Sequence, residues 1–137
     1  MTDQPSILLM DDDVVFRTDL AKYLSEQGYQ VTSCDSATEA KAHIEDRPYD
    51  LVISDIFVRA NGEFIPDGGV SLLGWMQTRH KIPKIAVSGA IDRIGHGYLH
   101  DMRELGADVC LMKPIDEDEL LRHIRVLLPK PDLNSGK

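Results

Sequence analysis

The sequence predicts an α/β fold, a five-stranded parallel sheet with helices on both faces. Three observations carry that expectation. Mainly apolar runs of strand length recur at residues 7–10, 50–55, 84–88 and 109–112. Runs this solidly apolar suit strands covered on both sides. Stretches with apolar residues at helical spacing separate them, and alternating strands and helices build parallel sheets through right-handed crossovers. Each run also stops at polar residues, namely Asp11-Asp12-Asp13, Asp55, Ser88 and Lys113.

Residues 1–6 form a polar lead-in to the first strand, and Asp11 to Asp13 form the turn that ends it. Residues 14–27 carry Val14, Phe16, Leu20, Ala21, Tyr23 and Leu24 at near-helical spacing, with Gly28 as the stop. A second strand follows at residues 29–34. Asp35 or Ser36 caps a second helix to about residue 45, with Ala37, Ala40 and Ile44 inward and Pro48 closing it. The interval between the third strand and a helix at residues 70–80 is too long for an ordinary connection. Asn61-Gly62 between two short arms predicts a β-hairpin over residues 57–66, since both residues accept positive φ. An irregular loop is the alternative.

Val70, Leu72, Leu73, Trp75 and Met76 give the third helix its apolar face, and Pro83 leads into the fourth strand. Gly95 and Gly97 each cost about 1 kcal/mol against Ala in a helix interior. The fourth helix is therefore confined to about residues 98–105, with Leu99, Met102 and Leu105 inward, and Gly106 ends it. After the fifth strand, Asp116 and Glu119 approximate a capping box for the last helix. Its apolar face is Leu120, Leu121, Ile124 and Leu127 or Leu128. Residues 1–128 read as one domain, and residues 129–137 as a polar tail or truncated linker.

The 137 residues suffice for one domain with a real core. With 15 basic and 23 acidic residues, net charge −8, the chain is a poor match for nucleic acid. Cys34 and Cys110 lie far apart and lack metal-type spacing, which suggests buried thiols in a reducing compartment. No run is long enough to span a membrane, and the N-terminus has no signal-peptide pattern. The expected location is cytoplasmic, with no membrane partner. His43, His80, His100 and His123 read as helix-surface or helix-end residues, His96 as an exposed loop residue, and Trp75 as packing.

Open parallel sheets bind ligands at the carboxyl ends of their strands. Side by side, these strands bring Asp11, Asp12, Asp55, Ser88 and Lys113 to one edge. Three crowded carboxylates raise at least one pKa unless a cation intervenes. Magnesium suits a few carboxylates plus waters and a phosphoryl oxygen. Lys113 offers a point charge and Ser88 a hydrogen bond. Phosphoryl transfer asks mainly for positioning and neutralisation, and a carboxylate can serve as its nucleophile. Taken singly, these residues read more simply as helix caps, turn formers and a Lys-Pro loop. The signal lies in all of them occurring in order, at separate strand ends.

Over about residues 6–128 the pattern resembles the receiver domain of two-component response regulators. The matching pieces are Ile-Leu-Leu-Met-Asp11-Asp12, Tyr-Asp-Leu-Val-Ile-Ser-Asp55, Ile-Ala-Val-Ser88-Gly89 and Gly106-Ala107-Asp-Val-Cys-Leu-Met-Lys113-Pro114. The resemblance implies a flavodoxin-like sheet of order 2-1-3-4-5. It implies that Asp55 accepts a phosphoryl group from a histidine kinase or histidine phosphotransfer protein. Asp12, Asp55 and the Phe57 carbonyl would ligate Mg2+, with Asp11 acting through a water. Ser88 would follow the phosphoryl group and Lys113 would bridge to Asp55 or its phosphate. The Lys113-Pro114 bond would be cis. Such a domain is not an enzyme, although it supports its own phosphorylation and dephosphorylation. It signals to a downstream effector protein or domain, and a homodimer is compatible with that role.

Three departures from the family pattern stand out. Cys110 occupies the place of the usual switch aromatic, which puts the ordinary output coupling in doubt. The stretch after Asp55 is longer than usual and lacks the customary Pro and Met; the hairpin over residues 57–66 would fill it and take part in partner choice. The segment from Ser88 to Gly106 is also longer. One rival reading is a haloacid-dehalogenase-like phosphatase with Asp11 as nucleophile and Asp13 as acid/base, which leaves Asp55 without a central role. A flavodoxin-type FMN site is a second, but three aspartates would repel a phosphate lacking a metal. A degenerate receiver acting only as an interaction module is the third.

Overall fold

A computed structural model describes residues 4–56, 69–77, 79–88 and 106–128. The elements are β1 (Ser6–Met10), α1 (Val14–Glu26), β2 (Gln30–Cys34), α2 (Ala37–Asp46), β3 (Leu51–Asp55), α3 (Gly69–Gln77), β4 (Lys84–Ser88), β5 (Val109–Met112) and α4 (Glu117–Leu127). All neighbouring strands pair in parallel, in the order β2-β1-β3-β4-β5. This is the expected fold and strand order. The expected hairpin at residues 57–66 and helix at 98–105 lie outside the described residues.

Alternation along the strands divides the core in two. Ile7, Leu9, Leu51, Ile53, Ile85 and Val87 face α1 and α4, where Leu20, Leu24, Leu120, Leu121 and Ile124 meet them. Leu8, Met10, Cys34 and Val52 face the other way, onto Ala37, Ala40 and Ile44 of α2 and Leu72 and Met76 of α3. Every residue of β3 and β4 is buried, as central strands require.

Local signals account for several helix ends. Asp13 caps α1 by accepting from the Phe16 N–H at 3.0 Å. Ser36, of the two candidates, caps α2 by accepting from Glu39 N–H at 3.2 Å. Asp116 caps α4 with one carboxylate oxygen that accepts from both Asp118 and Glu119. Gly28, at φ +100, follows the last turn of α1, where a side chain would be strained.

Three expectations need correction. Val14 is 60% exposed, so the inward stripe of α1 begins at Phe16; the helix starts at the sheet edge, where its first residues overhang the core. α3 stops at Gln77 rather than residue 80, because the Met76 carbonyl accepts from both Arg79 and His80 and closes a turn. Cys110, on the edge strand β5, is half-buried, not buried, whereas Cys34, on the opposite edge strand, packs against α2 and is buried.

Gly69 opens α3 directly against the end of β3. A Cβ there would collide with the Asp55 carbonyl oxygen and approach Ile56 Cδ1 to 2.7 Å and Ser54 Oγ to 2.9 Å. At Gly28 a Cβ meets nothing within 4 Å, so only backbone strain opposes it. Gly69→Ala is expected to destabilise by about 1–3 kcal/mol through overpacking, and Gly28→Ala by about 1 kcal/mol through φ strain. Urea unfolding with m-values checks both. A Gly69→Ala midpoint equal to wild type would mean that α3 slides freely off β3.

Candidate functional site at the carboxyl edge of the sheet

Register alone places the site. Met10 is level with Ser54, Asp55 with Val87, and Ser88 with Met112. One step past those pairings, Asp11 comes beside Asp55 and Lys113 comes just past Ser88. Backbone bonds hold the row: Asp11 N–H to Cys34 carbonyl at 3.1 Å, Ile56 N–H to Val87 carbonyl at 2.8 Å, Lys113 N–H to Ser88 carbonyl at 2.8 Å. Because side chains alternate with period two, Asp11, Asp55 and Lys113 continue the rows of Leu9, Ile53 and Leu111, on the α1–α4 side. Ser88 continues the row of Ala86, on the opposite side.

The side chains converge as that parity requires. Lys113 Nζ lies 3.0 Å from Asp11 Oδ2 and 3.7 Å from Asp55 Oδ1. Asp11, Asp12 and Asp55 each present a carboxylate oxygen within 4.8 Å of the others. Asp11 and Asp55 are buried, whereas Asp12 is exposed. Asp11 Oδ1 accepts from the Asp13 N–H at 2.8 Å, and the Arg17 guanidinium donates to the Asp11 carbonyl at 2.7 Å. Asp11 Oδ2, buried as it is, has the ion pair with Lys113 and no hydrogen-bond donor besides among the described residues.

The electrostatics follow from burial beside like charge. Burial first, then the Asp11 charge, lift the Asp55 carboxyl to about 7 against the pull of Lys113. Burial also raises the Asp11 carboxyl, although the Asp13 N–H and Lys113 oppose it. For Lys113, burial disfavours the ammonium, but Asp55 and Asp11 outweigh it and its pKa moves up. Two crowded carboxyls with one buried oxygen short of donors fit a hard divalent cation, which takes carboxylate oxygens and keeps several waters. Cys34, pushed up to about 12 by burial, is inert by comparison.

Of the residues expected at the site, Asp11, Asp12, Asp55 and Lys113 lie together, and Ser88 is buried at the end of the adjoining strand. Phe57 lies outside the described residues. Asp13 is committed to capping α1. The Lys113-Pro114 bond is cis. Sequence reasoning missed two neighbours of the site, Arg17 and Phe16, whose ring centroid lies 4.2 Å from Lys113 Nζ. The signal was Phe16 four residues past Asp12, but helical spacing assigned it wholly to the core.

Comparison with known proteins agrees with this geometry. The model of the response regulator receiver domain matches residues 7–125. The transcriptional regulatory protein GltR of Pseudomonas aeruginosa is 34% identical over 131 residues, covering 90% of this chain and 48% of its own length. AruR, a transcriptional regulatory protein of the same organism, is 31% identical over 131 residues, 90% of this chain and 49% of its length. This chain thus spans about half the length of these curated relatives. Among solved structures, a CheY-like response regulator receiver domain protein from Methanospirillum hungatei superposes with a TM-score of 0.79 at 28% identity, covering 92% of this chain and 94% of that one. The response regulator TrrA from Thermotoga maritima, solved in complex with Mg2+-BeF, gives 0.74 at 26% identity, with 91% and 100% covered. Strand order, acidic edge and matched model coincide, and the chain belongs to the response regulator receiver domain family.

Proposed function

We propose that this chain is the phosphoacceptor domain of a two-component phosphorelay, phosphorylated on Asp55 by a histidine kinase or histidine phosphotransfer protein. The observation that carries the reading is Asp55 itself, buried at a strand end, 3.7 Å from Lys113 and within the carboxylate trio. An Asp55 oxygen attacks phosphorus as the phosphorus–nitrogen bond of a phosphohistidine breaks, and the imidazole nitrogen leaves with the electron pair. Lys113 meets the charge of the incoming phosphoryl oxygens, and the Ser88 hydroxyl follows one of them. Asp12, Asp55 and the Phe57 carbonyl would hold Mg2+, with Asp11 reaching it through a water. When bound, the ion neutralises phosphoryl charge. Water attack on phosphorus later returns the Asp55 carboxylate and orthophosphate. The capping role of Asp13 speaks against the phosphatase reading, which needs that carboxyl as acid/base.

The finer features belong to the same proposal. Residues 1–128 act as the receiver unit and residues 129–137 as a tail or linker. The domain is cytoplasmic, signals to an effector protein or domain, contacts no nucleic acid directly and is compatible with a homodimer. Among the described residues, no helix is long and apolar enough to cross a membrane. Output coupling is atypical, since a thiol at position 110 cannot report the phosphoryl state by swinging a ring.

Incubation with Mg2+ and a small phosphodonor, read by intact mass, is expected to add one phosphoryl group to the wild type and none to Asp55→Asn. An adduct of equal yield on Asp55→Asn would overturn the assignment. The raised Asp55 pKa also makes metal-free stability depend on pH. The folded carboxyl holds its proton up to about 7, the unfolded one only to about 4. The stabilising contribution is complete below the lower value and is lost as pH rises through the upper one. In chelator, Asp55→Asn is therefore expected to exceed wild type in stability by a few kcal/mol near pH ~8, with the gain shrinking toward pH ~4. Urea unfolding across that range checks the sign, and a gain that grows on acidification would refute it.

A further inference from the structure

The first turn of α1 brings to the site a group to which the phosphoacceptor reading assigns no part. Lys113 Nζ lies over the Phe16 ring, 4.2 Å from its centroid. That is well inside the roughly 6 Å at which a cation is drawn to an aromatic face. The same ammonium is 3.0 Å from Asp11 Oδ2 and 3.7 Å from Asp55 Oδ1. The lysine stem is long, flexible and 21% exposed, so its ordering over the site needs an explanation.

The turn of α1 beneath the ring is anchored independently of Lys113. Phe16 is half-buried against the α1–α4 side of the core. Its N–H donates to Asp13 Oδ1 at 3.0 Å, and the next residue, Arg17, donates to the Asp11 carbonyl at 2.7 Å. The helix turn that carries the ring is thereby tied to the acidic edge at two points.

We propose that Phe16 is a positioning residue, whose ring face holds the Lys113 ammonium at the phosphoacceptor edge while its carboxylate partners change. This rests on the reading of Asp55 as phosphoacceptor. When Asp55 is phosphorylated, its carboxylate gives up its charge as the acyl phosphate forms, the new charge sits on the phosphoryl oxygens, and Lys113 must exchange partners. An aromatic face neither titrates nor ligates a metal, so this contact persists through the exchange. It also engages the charge without using up the N–H donors, which stay directed at oxygen. An aliphatic residue would fill the same space in the core but would not attract the cation.

The test compares Phe16→Leu, which keeps an apolar side chain, with Phe16→Tyr, which keeps the ring. In chelator, the Lys113 Hε protons are expected to show an upfield ring-current shift in wild type and Phe16→Tyr, lost in Phe16→Leu. With Mg2+ and a small phosphodonor, Phe16→Leu is expected to take up phosphate roughly fivefold more slowly, the rate counterpart of one cation–π contact, and Phe16→Tyr to stay near wild type. Should Phe16→Leu fail to fold, Phe16→Met takes its place. Uptake by Phe16→Leu at the wild-type rate, or equal losses in the Leu and Tyr variants, would overturn the inference. Absence of any uptake by wild type would instead strike at the phosphoacceptor reading, and the ring-current measurement would still decide whether the ring holds the lysine.

Discussion

One ammonium set between two buried carboxyls is the constraint on which the rest of the molecule depends. Asp11 and Asp55 are almost wholly removed from water, and an unpaired charge there costs several kcal/mol. Lys113 offsets that cost only while it stays within reach of both. Three strands must therefore keep their ends in register, because each contributes one of the three groups. The parallel ladder meets the requirement with backbone bonds, and the alternation of side chains puts all three groups on one side of the sheet.

Both helical layers hold that edge, by different means. On one side, α1 reaches it through Arg17, the Asp13 cap and the Phe16 ring. On the other, α3 comes close enough to β3 that only a glycine fits at its first residue. The apolar clusters beneath provide the stability that the charged edge draws on. Leu9 and Ile53 lie two residues below Asp11 and Asp55 on the same side, so displacing a site carboxyl disturbs the core directly. Under the proposed function, a change of charge at an edge so constrained would bear on the packing beneath it.

Much of this was legible in the sequence because strand ends mark themselves. β4 and β5 have the expected limits to the residue, since Pro83 and Gly106 precede them and polar groups end them. The site was legible for the same reason: in a parallel sheet, terminal residues of neighbouring strands meet whatever the intervening chain does. Helix limits were less so. Val14 looks like a core residue by spacing, yet the helix begins beyond the core, and α3 ends in a turn that no glycine or proline announces. Phe16 escaped because a ring that packs and a ring that faces a cation leave the same mark on apolar periodicity. Gly69 escaped because close approach between α3 and β3 is a tertiary fact.

The position of Cys110 bears on how a phosphoryl group at this edge could be read out. In register, Ala86 is level with Cys110 and Ser88 with Met112, so Ser88 and Cys110 share the side of the sheet away from Asp55 and Lys113. A hydroxyl drawn toward a phosphoryl group would vacate space on that side, beside Ala86 on its own strand and Cys110 and Met112 on the next. In the usual receiver pattern a ring moves into such space, and its large displacement carries the signal. Here the position of that ring holds the Cys110 thiol, which offers little surface to move. What joins the two strands at this point is the bond from Lys113 N–H to the Ser88 carbonyl, at 2.8 Å. Under the proposed function, a shift of Ser88 is then felt by the backbone that carries Lys113, and through it by the β5 edge.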